Sequence, residues 1–303
     1  MIYTCTLNPS VDYIIHVAQF KSGGLNRGEK SFYYPGGKGI NVSRVLTRLD
    51  VKNTALGFVG GFTGEFIKSE LINEGIHTDF IELTGKTRIN MKLKSDSETE
   101  INGSGPDISE IQLQQLFNRV KGLSNGDILV ASGSIPNSVP DDIYSQLATI
   151  CNEKGIKMIA DTSSKALKEI VGHDLFLIKP NQHELEELFN TTITSLTDAL
   201  DYGLKLNQKG ATHVIVSMGG QGAVYTSEDN QFIASVPTGT VQNTVGAGDS
   251  MVAGFLAAYS KNNEPLEAFK YAVAAGSSTA FSEDLCKKED VEELVKKIVV
   301  KTM

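Results

Sequence analysis

From about residue 126 onward the chain alternates between short apolar runs and longer amphipathic ones. "DILVASG", "KMIAD", "LFLIKP" and "HVIVSMG" are short, apolar and bounded by turn residues, as buried strands are. "PDDIYSQLATICNEKG", "SKALKEIV", "HELEELF" and "LTDALDYGLKLNQKG" are amphipathic and read as helices. Parallel strands need a crossover between them, so this alternation predicts βαβ units and a sheet covered on both faces. Nearer the N-terminus "IYTCTL" and "TALGFVG" read as strands and "GEFIKSELINEG" as a helix stopped at Gly75. "KGINVSRVLTRLD" reads as a helix with Ile40, Val42, Val45, Leu46 and Leu49 near helical spacing. The predicted class is α/β with a mainly parallel central sheet. Ligands of such sheets sit beyond the carboxyl ends of the strands, where "SGSIP", "DTSS", "KPNQHE" and "SMGGQG" all fall.

Two segments break the pattern. Residues 11–34 and 86–103 alternate like strands with no helix between, and "RINMKLKSDSETEI" reads as a hairpin with a polar "SDSE" turn. They predict a small discontinuous β-sheet beside a large domain made of 1–10, 35–85 and 104–303. That sheet reads either as a lid, with Arg88 and Asn90 facing a cleft and water kept out, or as a plain β-insertion.

Composition limits the partners. A formal net charge of −8 over 303 residues argues against non-specific nucleic-acid binding. Five arginines, Arg27, Arg44, Arg48, Arg88 and Arg119, leave few cations for an anionic ligand, so backbone N–H groups must help. Three scattered cysteines without CxxC spacing fit a reducing compartment and give no metal-site signal. "MIYTCTLNPS" lacks a basic n-region, and no apolar run reaches membrane-spanning length; the expected location is cytoplasmic, with no membrane partner.

Four Gly- or Asn-rich stretches could carry chemistry. In "NTVGAGDSMVAGF", Gly246 and Gly248 turn the backbone so that N–H groups point outward at a helix start, an anion site. The partial positive charge there is expected to keep Asp249 ionised and ready to take a proton. The plainer reading makes Asp249 a helix-capping acid. "PGGKGINVSRVL" offers Gly36, Gly37, Lys38 and Asn41 to a polyol, with Asp12 accepting hydroxyl hydrogens, or else is a flexible loop. In "KPNQHELEEL", Asn181 and Glu184 lie one turn apart, spaced either to orient water on Mg²⁺ or to form a capping box. In "SMGGQGAV", Gly219, Gly220 and Gly222 either admit a nucleotide or make a tight β-turn. A dinucleotide fingerprint fails, because Met251 stands where its third Gly belongs; a Walker A loop fails at Glu29.

Together "PGGKGINVSR" and "NTVGAGDSMVAGF" resemble the two signatures of the PfkB (ribokinase-like) sugar kinases, and "KPNQHE" and "SMGGQGA" resemble its connecting motifs. The likeness spans essentially the whole chain. It implies a ribokinase-like three-layer α/β/α domain with a β-sheet lid that often pairs across a homodimer. It implies ATP and Mg²⁺, and a ketose phosphate as acceptor. The stretches "TLNPSVDY", "GFVGGFTGEF" and "TEINGSGPDIS" favour D-fructose 1-phosphate, phosphorylated at its 6-hydroxyl, over tagatose 6-phosphate or fructose 6-phosphate. A non-catalytic sugar-phosphate sensor is the rival of another class, and an intact Asp249 speaks against it.

By the same likeness Asp249 is the catalytic base, and the N–H groups of Gly246, Ala247 and Gly248 form the anion hole. Ser217, Gly219, Gly220 and Gly222 border ATP. Gly239 and an "AAGSS" helix start around Ala275 and Ser278 flank it. Asn181, with Glu184 acting through water, supports the Mg-phosphate. Asp12, Gly36, Gly37, Lys38 and Asn41 hold sugar hydroxyls, while Arg88, Lys38 and Arg27 meet the substrate phosphate and Asn90 faces it from the lid. Common members begin the second signature with Asp-Thr; Asn243 stands here instead, so position 243 is given no catalytic role.

Overall fold

The predicted strand–helix alternation is present throughout the computed structural model, which describes residues 1–303. The strands are β1 Ile2–Thr6, β2 Ser10–His16, β3 Lys30–Gly36, β4 Asn53–Gly60, β5 His77–Leu83, β6 Arg88–Lys94 and β7 Glu98–Asn102. They continue with β8 Ile128–Gly133, β9 Lys157–Thr162, β10 Leu175–Ile178, β11 Ala211–Ser217, β12 Ala223–Thr226, β13 Gln231–Ala234 and β14 Val300–Thr302. The helices are α1 Lys38–Arg48, α2 Gly61–Asn73, α3 Glu110–Lys121, α4 Ile143–Lys154 and α5 Ser164–Ile170. After them come α6 Gln182–Phe189, α7 Leu196–Asn207, α8 Ala247–Asn262, α9 Pro265–Ala280 and α10 Lys288–Leu294.

Ten strands form the main sheet in the order β14-β13-β12-β11-β10-β9-β8-β1-β4-β5. Every pair from β11 to β5 is parallel. The β12–β14 edge is antiparallel, a run the sequence reading leaves undivided. Successive strand residues point to opposite faces, and the core divides accordingly. Leu129 and Ala131 of β8, with Met158 and Ala160 of β9, pack on the α3–α7 side. Val130 and Ile159 pack on the other side with Val42, Val45, Leu46 and Leu49 of α1 and the apolar faces of α8 and α9. The result is a three-layer α/β/α domain.

The two irregular segments pair as a second, four-stranded sheet in the order β3-β2-β6-β7. The expected hairpin is β6–β7, antiparallel from Asn90↔Asn102 to Lys94↔Glu98. In β2 and β6, Ser10 pairs with Arg88 and Asp12 with Asn90, so these polar residues share one face.

One helix differs from the sequence reading. Residues 275–278 do not start a helix; they lie in the last turns of α9, which Pro265 opens at its first position.

Candidate active site

A cleft of about 1060 Å³ opens between the carboxyl ends of the main-sheet strands and the small sheet. Its chemical centre is the turn into α8. Gly246 caps that helix at φ 79°, a left-handed conformation a side chain would strain, and Asp249 sits in the first turn. Ala247 donates its amide to the Thr244 carbonyl at 3.3 Å, whereas the amides of Gly246, Gly248 and Asp249 meet no acceptor in the protein. The free amides of the turn are therefore Gly246, Gly248 and Asp249 rather than 246–248. With the α8 dipole they make a site for a negatively charged oxygen.

Asp249 is buried, and Asn41 of α1 donates to its Oδ2 at 2.8 Å. The helix terminus does not keep its pKa low, as expected from sequence. Burial, and then the negative charge of Asp161, push it up to about 6, against the opposing pull of Lys38, Asn41 and Lys179. A carboxylate so placed binds a proton more readily than an exposed one, which suits a base.

Two residues that sequence reasoning missed complete this centre. Asp161, at the carboxyl end of β9, accepts from Lys38 Nζ at 2.8 Å and lies 3.4 Å from Lys179 Nζ. Burial works against its charge, but Lys179 and Lys38 hold its pKa below the ordinary value. Lys179 follows β10, and its ammonium lies against Gly248, where an added Cβ would come within 2.9 Å of Nζ. Two lysines thus stand beside the turn. Only their strand-end positions signalled them, "DTSS" and "KPNQHE" being flagged as segments.

Asn181 caps α6 and accepts from the Glu184 amide at 2.8 Å, while Glu184 Oε2 accepts from the Asn181 amide at 2.9 Å. The capping box is real, and it leaves Glu184 Oε1 facing Lys38 Nζ at 3.7 Å. No three His, Cys, Asp or Glu side chains cluster as a metal cage. Mg²⁺ fits here only with most of its oxygens supplied by phosphate and water, a habit of that ion, with Glu184 Oε1 the nearby protein oxygen that the capping box leaves free.

The small sheet turns polar side chains to the cleft. Asp12 accepts from Ser10 Oγ at 2.7 Å and from Asn90 Nδ2 at 3.3 Å, and pairs with Lys92 at 3.3 Å. Lys92 was not foreseen; it is buried and lines the cleft. Arg88 donates to the Asn8 carbonyl at 3.0 and 3.3 Å and also lines the cleft. Gly37, at φ 113°, lets the chain pass Thr6 and enter α1 beside Lys38.

On the remaining side the cleft is lined by Asn181, Ser217, Gly219, Gly220 and Gly222, and by Val273, Gly276, Ser277 and Ala280 of α9. The Gly-rich stretch is also the β11–β12 hairpin turn, so both readings of it hold structurally; Gly222 is required because a Cβ would stand 2.2 Å from the Ala234 carbonyl oxygen. Six expected residues lie off the lining, among them Glu184, which is held in the α6 capping box. Arg27 is exposed in the loop between β2 and β3. Gly36 is buried against the Asp12 carboxyl. Gly239 abuts the Phe281 ring, and it is Phe281 that reaches the cleft. Ala275 faces the α8–α9 seam, where Gly254 admits its Cβ, and Ser278 is buried on the same helix. The cleft-facing row of α9 is thus offset from the one anticipated.

A buried carboxylate beside free helix-terminal amides and two lysines, in a cleft closed by a polar sheet, defines a phosphoryl-transfer centre of the sugar-kinase kind. Residues 6–290 match the model of the pfkB family carbohydrate kinases, and the chain belongs to that family. The 1-phosphofructokinase of Bacillus subtilis (strain 168) is 52% identical over 300 residues, 99% of each chain. The D-tagatose-1-phosphate kinase of Bacillus licheniformis is 42% identical, over 94% of each chain. Phosphofructokinase-2 from Escherichia coli, solved with substrates and products, superposes with a TM-score of 0.94 at 33% identity over 98% of each chain.

Proposed function

We propose that this kinase transfers the γ-phosphoryl group of ATP to the 6-hydroxyl of D-fructose 1-phosphate, giving fructose 1,6-bisphosphate and ADP. The sugar assignment follows the name of the Bacillus subtilis relative at 52% identity. The observation that carries the chemistry is Asp249, buried in the first turn of α8 beside the unpaired amides of Gly246 and Gly248.

Asp249 takes the proton of the 6-hydroxyl as that oxygen bonds to the γ-phosphorus and the bond to the bridging oxygen of ADP breaks. Asn41 fixes the carboxylate, leaving its other oxygen for the substrate. The free amides and Lys179 stabilise the charge on the phosphoryl oxygens. Lys38, tied to Asp161, stands between this charge and the sugar. Arg88 and Lys92 hold the substrate phosphate, while Asp12, Asn90 and Gly37 take hydroxyls. Glu184 and Asn181 would hold Mg²⁺, which would supply charge neutralisation for the nucleotide phosphates. The small sheet acts as a lid. Its outward Tyr33, Ile89, Met91 and Ile101 are exposed apolar groups that support pairing with a second copy. Three free, buried cysteines support a cytoplasmic location.

D-tagatose 1-phosphate is the second reading, because the Bacillus licheniformis relative carries that name. ADP release is measured with fructose 1-phosphate, tagatose 1-phosphate, tagatose 6-phosphate and fructose 6-phosphate. The highest kcat/KM with fructose 1-phosphate is expected; a higher value for any other sugar replaces the assignment.

A further inference from the structure

Lys38, Asn41, Arg44 and Arg48 of helix α1 are spaced three, three and four residues apart and so lie near one face. The first two reach the site, and the arginines reach past it. Arg44 is 3% exposed; its Nε donates to Glu74 at 2.9 Å, and its two terminal nitrogens bond Asp284 at 3.2 and 2.9 Å. Arg48 donates to Asp284 Oδ2 at 2.7 Å and to the Leu285 carbonyl at 2.6 Å. A buried ion cluster gives uncertain net stability because desolvation offsets attraction, so what it fixes in place matters more.

What it fixes is the residue behind the turn. Leu285 is buried, and a Cβ on Gly246 would stand 2.5 Å from Leu285 Cδ2. Next to it the Cys286 amide donates to Thr279 Oγ1 at 2.9 Å, and Thr279 Oγ1 pairs with Ser250 Oγ at 2.6 Å inside α8. From the other side the Gln242 amide donates to the Ala280 carbonyl at 2.8 Å, and the Gln242 side chain to the Phe281 carbonyl at 2.8 Å. Residues 280–286 are therefore clamped between α1 and the run that leads into α8.

We propose that Asp284 is a positioning residue for phosphoryl transfer: gripped by Arg44 and Arg48, it seats Leu285 against Gly246 and so aims the free amides of the turn in register with Lys38 and Asn41. The inference rests on reading that turn as the anion site. Donors of this kind lose much of their effect when displaced by about an ångström. The sugar contacts come from the other end of α1 and the small sheet, so they are spared.

The test compares wild type, Asp284→Asn, Leu285→Ala and Glu74→Gln by ADP release, using whichever ketose phosphate of the panel wild type turns over best. A wrong sugar then shows in the wild-type ranking, and a wrong positioning assignment in the variant ratios. Asp284→Asn and Leu285→Ala should lower kcat by about 10- to 100-fold with sugar KM within about threefold. Glu74→Gln breaks the same ion cluster without touching residues 284–285 and should keep kcat within about threefold. An Asp284→Asn enzyme with wild-type kcat, or a Glu74→Gln enzyme as slow as Asp284→Asn, overturns the proposal. Should Asp284→Asn not fold, Leu285→Ala decides alone, and a wild-type kcat there overturns it equally.

Discussion

Asn41 Nδ2 and Asp249 Oδ2 lie 2.8 Å apart although 208 residues separate them in the chain. This bond ties the first turns of α1 and α8 together at the point where sugar and phosphoryl group must meet. It also restricts the carboxylate to one rotamer, so one oxygen is occupied and the other faces the cleft.

Replacing Asp249 with Asn should lower kcat by about 10²- to 10⁴-fold, with a much smaller change in sugar KM. Steady-state kinetics measure this, and a kcat within tenfold of wild type removes Asp249 from the role of base.

The same variant should be more stable than wild type at pH 8. The folded pKa of about 6 lies above the ordinary 3.8, so ionising Asp249 costs the folded state. Its favourable contribution is present below the unfolded pKa and is lost as pH rises through the folded one. An uncharged Asn escapes that loss, by about 1–3 kcal/mol. Thermal melts at pH 8 and pH 4 should show a higher Tm for the variant only at the first.

The acidic limb of kcat/KM should fall near pH 6, below which Asp249 is protonated in the free enzyme. After burial, Asp161 is the main cause of the raised value, so Asp161→Asn should move that limb to lower pH. An unmoved limb in that variant would mean that another group controls it.

Arg88→Ala should raise sugar KM about tenfold or more while changing kcat less, since it removes a charge-assisted contact to the substrate phosphate. An unchanged KM would shift that subsite to Lys92.

Gly246→Ala and Gly248→Ala should separate stability from chemistry. The first meets Leu285 and a φ of 79°, and should lower Tm. The second meets only the flexible end of Lys179, 2.9 Å away, and should lower kcat with little change in Tm. Differential scanning of both proteins beside their turnover checks the contrast.

Much of the architecture was legible in the sequence because strand and helix periods are local. The alternation after residue 126 predicts the parallel sheet, and "NTVGAGDS" contains its own turn, helix start and acid within eight residues. Pairings made by folding were not legible. Asp161 reads as the end of a strand until Lys38 and Lys179 come to it from 123 and 18 residues away. Lys92 looks like one of several alternating lysines until Asp12 pairs with it. Gly239, Ala275 and Ser278 were misplaced because a stretch near a site does not reveal which side of a helix or loop faces in. Arg27 stands exposed in the loop between β2 and β3, away from the cleft lining of its own chain, a placement that scarcity of positive charge could not indicate.

The small sheet joins the main body through four stretches, residues 7–9, 37, 84–87 and 103–109. It cannot swing like a door on one hinge. Of its four moorings two, at Asn8 and Gly37, border the cleft. Gly37 is also the cap of α1, so the seat of the small sheet and the alignment of Asn41 with Asp249 meet in one short stretch of chain.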